Sequence, residues 1–480
     1  MKVVRGALVV TMDGDRRVLR DAAVAVDGTL IADVGSWQDL AGRYPRAEHL
    51  GGAACLVIPG LVNAHNHMFQ VLYRTLGADQ SFRDWLQDVV WPMSTVLTEE
   101  DAYAAVLLAS VEMLRTGTTT VVDSHYINTT PGMLDAVAAA VDHVGIRAVL
   151  GRASVDWTEW APIRPEFLET PDAAARAGAD LIERWHGKAS GRIRIRPEPL
   201  SETSVTPDMV RALSTVARQY GTGMNMHAAE VRERVEFIQA KFGARGTVDY
   251  LDRLGVLGPD LLLAHCVWLA PEEIAVLRER GTAVVHNPVS NAFLGDGVAP
   301  IPDLTAAGVM VGLGTDGPCS NDSLDMFGVM KAGALIHKAV RRSSTVTGAE
   351  ATLAMATING ARAAGIDGLI GSIEPGKRAD LVVATLRQPE FVPLFDVYAA
   401  LVYAANAACV DTVLVNGQVV VRGGHLTTVD EDEIARGAER LAWRLLRRAG
   451  VPRLLERAGR LGWPVFGGAD TTAPVSGGEV

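Results

Sequence analysis

The chain has 480 residues, is 48% hydrophobic and 21% charged, and carries a formal charge of −11. Such a composition can bury a large core, while the negative balance argues against nucleic acid as a partner, because phosphate binding calls for a basic face and the "RLLRR" run at 444–448 reads as the solvated side of a helix. Four dispersed cysteines without a CxxC pair, an N-terminus unlike a leader and no apolar run of about 18 residues leave a disulfide scaffold, a secreted protein and a membrane protein disfavoured, and a cytoplasmic protein expected.

Residues 1–57 alternate short β-branched runs with turn signals: "ALVVT", "MDGDRR", "AAVAVDG", "TLIADVG". The texture returns in "DLVVATL" and "VDTVLVNGQVVVRGG", where "NG" between valine runs predicts a hairpin. One small β-sandwich built from 1–57 plus 376–430 is therefore expected. Between them, over 58–375, strand-like runs such as "TTTVVDSHY", "IRAVLGRASV" and "LLLAHC" alternate with alanine-rich helical stretches. That alternation predicts an α/β fold with parallel pairing, and the number of repeats favours a closed (β/α)8 TIM-like barrel. No GxGxxG or Walker sequence follows a strand, which weakens a doubly wound nucleotide fold. A helical segment over 431–466 and a disordered glycine-rich tail over 467–480 complete the expectation.

In a barrel enzyme the chemistry lies at the C-terminal ends of the strands. "PGLVNAHNHMFQ", residues 59–70, ends an apolar run with His65 and His67. Alternate side chains of a strand share a face, so the two imidazoles, about 6 to 7 Å apart along the backbone, can converge on one ion. His227 follows "GMNM", His265 follows "LLLA", His286 follows "AVV" and Asp316 follows "VMVGLGT". A satisfied core histidine explains any one of these; five strand ends carrying six such residues point instead to a metal site. Asp316 by itself could be a turn aspartate, but as a ligand it joins a carboxylate to imidazoles, a donor set for zinc or another divalent transition metal rather than magnesium. Glu230, in "HAAE" three residues after His227, reads either as a surface residue opening the helix "VRERVEFIQAKFG" or as a general base beside a metal-activated water.

"PGLVNAHNH", "HAAE", "LAHCVWL", "VVHNPVSNAFLGDGVAPI" and "GLGTDGPCSNDSLDMF", in that order, resemble the amidohydrolase superfamily. More narrowly they resemble its aminohydrolase and chlorohydrolase group of S-adenosylhomocysteine/methylthioadenosine, guanine and 8-oxoguanine deaminases and s-triazine hydrolases. The resemblance implies one divalent metal, zinc first with iron or manganese as alternatives, held by His65, His67, His227 and Asp316. Glu230 would be the proton shuttle, His265 a second acid/base group, and Asp316 would also orient the water. No lysine ends a strand where binuclear branches carry their bridging group, so a single metal is expected.

The implied reaction is hydrolytic deamination of an aminated nitrogen heterocycle (purine or 8-oxoguanine, pterin or adenosine-type), with metal-bound hydroxide adding to the ring carbon and ammonia leaving. The alternatives are an s-triazine chlorohydrolase or alkylamino-hydrolase, or an S-adenosylhomocysteine/methylthioadenosine deaminase. "SFRDWL" places Asp84, and "LGRASVD" places Arg152, where adenosine-type relatives bind substrate, although Leu200 stands where those relatives carry a histidine. His286 and Asn287 would lie beside the substrate, Ser320 and Asn321 near the metal, and Trp157 and Trp160 of the loop "DWTEWAPIRPEF" over the pocket. A small heterocycle is the expected partner, in a homo-oligomer of the kind the family forms. A binding protein on the same barrel is the rival class, and the intact ligand and proton-transfer residues weigh against it.

Overall fold

The computed structural model describes residues 1–459; the predicted tail over 467–480 and the end of the predicted helical segment lie outside them. The chain opens with β1 (Lys2–Val10), β2 (Val18–Asp27), β3 (Leu30–Ser36) and β4 (Glu48–Pro59). Eight barrel strands follow: β5 (Leu61–Asn66), β6 (Thr118–His125), β7 (Arg147–Ser154), β8 (Ile193–Pro199), β9 (Met224–Ala228), β10 (Leu261–His265), β11 (Ala283–His286) and β12 (Val311–Leu313). The last strands are β13 (Leu381–Thr385), β14 (Val410–Val415), β15 (Gln418–Arg422) and β16 (His425–Leu426).

The barrel strands pair in parallel and in chain order as two four-stranded halves, β5 to β8 and β9 to β12. Backbone bonds close both seams: His227 N–H donates to Leu200 O at 3.0 Å, and Asp316 N–H donates to His65 O at 3.0 Å. The architecture is the predicted (β/α)8 barrel. Its strands are buried on both faces, as strands covered by helices outside and filled inside must be. The helices owe their bounds to local signals. In Pro207–Tyr220, Thr206 accepts from Met209 N–H, proline opens the helix, Met209, Val210, Leu213 and Ala217 face inward, and Gly221 ends it at φ 63°.

Strands from both chain ends form one separate eight-stranded sheet, in the order β16-β15-β14-β13-β4-β1-β2-β3. Val24 and Val26 of β2 share a buried cluster with Val383 of β13 and Leu414 of β14, so the sheet curls over its own core. The predicted hairpin is present between β14 and β15, with Asn416 and Gly417 at φ 52° and 75°, the left-handed pair that such a turn requires. A buried ion pair ties this sheet to the barrel: Arg147, which begins β7, donates to both oxygens of Asp380 at 2.8 and 3.0 Å. The "RLLRR" run lies in the helix Glu431–Ala449 with Arg444, Arg447 and Arg448 exposed and Leu445 and Leu446 buried. No helix among the described residues is long and apolar enough to cross a membrane.

Candidate active site

β5 delivers His65 and, one step past its end, His67; β9 delivers His227, and the turn after β12 delivers Asp316. All four are buried. Asp316 Oδ1 lies 3.3 Å from His65 Nε2 and 3.2 Å from His67 Nε2. His67 Nε2 and His227 Nε2 are 3.2 Å apart.

The backbone fixes the tautomers. His67 Nδ1 lies 2.7 Å from Ser124 O, and His227 Nδ1 lies 2.8 Å from Leu200 O. A carbonyl oxygen can only accept, so each Nδ1 carries a proton and each neutral ring keeps a bare Nε2. Two bare nitrogens at 3.2 Å repel unless a cation lies between them. Burial, and then the charges His65, His67 and His265 would carry, hold His227 well below its ordinary pKa. Burial likewise lowers His65 to about 4, against the pull of Asp316. On His67 burial works downward, but the Asp316 carboxylate outweighs it and raises the pKa; Asp316 itself is driven well down by His65 and His67 despite its burial. One proton on His67 could relieve one contact. It could serve His227 Nε2 or Asp316 Oδ1, each 3.2 Å away, but not both. The donor atoms fall into two overlapping triads, His65–His67–His227 and His65–His265–Asp316, each within 4.8 Å, and the imidazoles and carboxylate gathered there are the donor types that a zinc ion would accept.

Beside this cluster, Glu230 Oε1 lies 3.6 Å from His265 Nε2. Asn291 Nδ2 donates to His265 Nδ1 at 2.9 Å and to Asp296 at 3.2 Å, which puts the imidazole proton on Nε2, facing Glu230. Burial raises the Glu230 carboxyl against the lowering effect of Arg234, and burial followed by the charge of Glu230 pushes Asp296 up to about 9. Ala229, His265, Cys266 and Asp316 all adopt left-handed backbone, at φ 49°, 73°, 49° and 59°. Four such non-glycine residues at neighbouring strand ends are a strained set of the kind that gathers at functional sites.

Three of the metal-ligand candidates, His67, His227 and Asp316, floor a pocket whose walls are largely aromatic: Phe82, Trp85, Trp91, Tyr126 and Trp160, with Ile163 and Leu200. Ser201, Thr203, Ser204 and Arg234 add the polar wall. His65, His67, His227, Glu230, His265 and Asp316 are thus brought together. Asn287 Nδ2 reaches to 3.4 Å from His265 Nδ1, and Ser320 Oγ to 3.2 Å from Asp316 Oδ2.

Other expected substrate contacts fall elsewhere. Asp84 is exposed in the first turn of the short helix Phe82–Trp85, which Ser81 caps: the Asp84 backbone N–H donates to the Ser81 hydroxyl oxygen, and the Asp84 carboxylate accepts from the same hydroxyl. Arg152 is taken up by a fork to Glu169 at 2.8 and 3.1 Å. Trp157 packs on Phe237 and Phe242 outside the pocket, and its neighbour Trp160 lines it. His286 Nε2 pairs with His337 Nε2 at 2.9 Å, while Asn321 donates to Thr315 O. The sequence reading missed Tyr126, Ser290, Asn291 and Arg234. Only Arg234 left a signal, four residues after Glu230 on the following helix.

A family profile described as the amidohydrolase family matches residues 56–420. The chain is 37% identical over 423 residues to a 5-methylthioadenosine/S-adenosylhomocysteine deaminase of Desulforudis audaxviator, covering 88% of this chain and 94% of the relative. It is 33% identical over 447 residues to a 5'-deoxyadenosine deaminase of Methanosarcina mazei, covering 93% and 98%. Among solved structures, an adenosine deaminase of Xanthomonas campestris with bound zinc superposes with a TM-score of 0.85 at 32% identity, over 92% of this chain and 98% of that one. An atrazine chlorohydrolase of Arthrobacter aurescens in complex with zinc superposes with a TM-score of 0.85 at 26% identity, over 92% and 100%.

Proposed function

The chain belongs to the amidohydrolase family, and on that footing we propose that it is a metal-dependent hydrolase that releases ammonia from an aminated nitrogen heterocycle. The observation that carries the reading is the convergence of buried donors on the floor of an aromatic pocket, with Glu230 and His265 beside them. His65, His67, His227 and Asp316 would hold the ion, zinc being the first choice. When bound, such an ion is a Lewis acid that brings the pKa of water down towards about 7.

The chain's own residues supply the rest. Phe82, Trp91, Tyr126 and Trp160 stack on a flat ring and keep bulk water from it. Glu230 accepts the proton that water gives up and passes it to the exocyclic nitrogen. His265, with its Nε2–H directed at the same space, donates to the negative charge that grows on the ring as the carbon–oxygen bond forms. The carbon–nitrogen bond then breaks, and nitrogen leaves as ammonia carrying the relayed proton.

A second reading has its own support. With Asp84 exposed and the Arg152 fork occupied by Glu169, the acids lining the pocket among the described residues are Glu230 and Asp316. A nucleoside would find no spare carboxylate for its hydroxyl pair. This favours a ring with short apolar substituents, a triazine included, over the nucleosides named by the deaminase relatives. Every side chain in this scheme falls within 58–375, which we propose as the hydrolase unit, with 1–57 plus 376–430 as a composite unit and 431–466 as an added helical segment. The four cysteines are free, which suits the cytoplasm, and exposed Val392 and Phe395 suit a homo-oligomer.

The test is ammonia release by zinc-loaded protein over guanine, 8-oxoguanine, cytosine, pterin, adenosine, methylthioadenosine, S-adenosylhomocysteine, melamine and chlorinated triazines. Turnover of one ring class supports the reading and identifies the ring. Chloride or alkylamine release without ammonia would replace it with the second reading.

A further inference from the structure

The two oxygens of Glu230 are unequally placed. Oε1 faces His265 Nε2 at 3.6 Å, whereas Oε2 accepts from Arg234 Nη1 at 2.6 Å. Arg234 lies in the first turn of the helix Arg232–Phe242, four residues after Glu230, a spacing that sets the two side chains one above the other. The arginine is only 8% exposed. Its guanidinium carbon lies 5.0 Å from the ring centre of Phe82 and 5.1 Å from that of Trp160, so the flat cation is held by two aromatic faces.

Those rings come from different insertions: Phe82 from the segment after β5, Trp160 from the loop after β7. Both line the inner pocket and also the groove outside it, along Arg83, Arg232 and Trp268. Arg234 therefore stands where the two covering segments meet the carboxylate. Its Nε has no hydrogen-bond partner. The side chain is held by two ring faces and by Glu230, and its charge also reaches the buried Glu202 and Asp296 carboxylates.

We propose that Arg234 is the positioning residue of the proton carrier, occupying Oε2 of Glu230 so that Oε1 alone serves the reacting centre. The inference rests on the reading of Glu230 as that carrier. A carboxylate left without this partner in a buried site would turn to find another donor, and a proton acceptor displaced by about 1 Å can lose about 100-fold in rate. Lysine would keep the charge but neither the planar donor pair nor the stacking between two rings.

The test uses the full chain loaded with zinc, the compound of the panel that is turned over, and the variants R234M, R234K, E230Q and R234M/E230Q. R234M is expected to lower kcat about 100-fold with KM within a few-fold and zinc content unchanged. Millimolar guanidinium chloride should restore part of the R234M loss, R234K should fall between, and R234M should cost nothing further in the E230Q background. Wild-type kcat in R234M, or an undiminished R234M penalty on top of E230Q, overturns the proposal while leaving Glu230 as carrier. Full turnover in E230Q overturns that reading and this inference with it. A crystal structure of zinc-loaded R234M adds a readout that needs no substrate: Glu230 should have left its orientation toward His265, and an unmoved carboxylate counts against the proposal.

Discussion

Ser290 Oγ donates to Asp316 Oδ2 at 2.5 Å, leaving Oδ1 of the same carboxylate to face His65 and His67. Ser290 lies on the short helix Pro288–Phe293 after β11, so a residue that touches no metal ligand atom decides which oxygen of Asp316 is free. Ser320 Oγ supports the same oxygen more weakly at 3.2 Å. Removing the hydroxyl in S290A should lower zinc affinity or turnover about 10- to 100-fold, the usual effect of losing the group that orients a ligand. Zinc competition with a chelator measures it, and wild-type affinity together with wild-type turnover would assign the orienting role to Ser320.

E230Q should separate binding from chemistry. The amide keeps the shape and the contact with Arg234 but cannot take a proton, so zinc content should stay at the wild-type level while kcat drops about 10²- to 10⁴-fold. Metal analysis and ammonia release on the same preparation give both quantities, and undiminished kcat would remove Glu230 from the proton path.

Truncation of His227 should act differently, because its Nε2 is one of the convergent donors and its Nδ1–H is held by Leu200 O. H227A is expected to lose zinc and activity together. The variant should also lose the thermal stabilisation that added zinc gives the wild type, since an ion that binds only the folded state adds stability that grows with the logarithm of its affinity. A full zinc complement in H227A would move the ion elsewhere.

The strand-end residues were legible in the sequence because two local rules act together: alternation puts His65 and His67 on one side of a strand, and apolar runs mark where each barrel strand ends. The same locality explains what was missed. Asp84 stands three residues after Ser81, and that S-x-x-D spacing is itself a helix-start signal, which is the role the structure shows for it. Arg152 could not be discounted from sequence, since its partner Glu169 lies 17 residues away across a loop. The meeting of Arg234 with Phe82 and Trp160 spans three barrel segments, and no periodicity encodes it. The curl of the terminal sheet is likewise non-local, and only its valine runs and NG turn were visible.

The Arg147–Asp380 pair should be a major stabilising link between barrel and terminal sheet. Both side chains are almost fully buried, and Asp380 also accepts from Asn416 N–H at 2.7 Å. R147M leaves the carboxylate uncompensated, and breaking a buried pair from one side costs about 3 to 5 kcal/mol. Denaturant unfolding should show that loss, with a smaller one in R147M/D380N, where no buried charge is left unpaired. Equal loss in single and double variants would mean that the packing of the two side chains matters rather than their charge.

Two buried histidines away from the ligand cluster set an acid limit on stability. Burial, reinforced by the charge of Arg341, lowers His337 to about 4, and burial, only partly offset by the Ile127 carbonyl, lowers His125 to about 3. The unfolded chain titrates its histidines near 6.5, so it binds protons that the folded chain refuses. A depressed folded pKa means stability that is complete above about pH 6.5 and is lost as pH falls toward the folded value. At about 1.4 kcal/mol per pH unit, His337 alone accounts for roughly 3 kcal/mol by pH 4. Unfolding free energies measured between pH 7 and pH 4.5 should therefore fall less steeply in H337N than in the wild type, even where loss of the His286 partner lowers the variant's stability at pH 7. Parallel pH dependences in the two proteins would show that His337 is not the group whose protonation limits stability in acid.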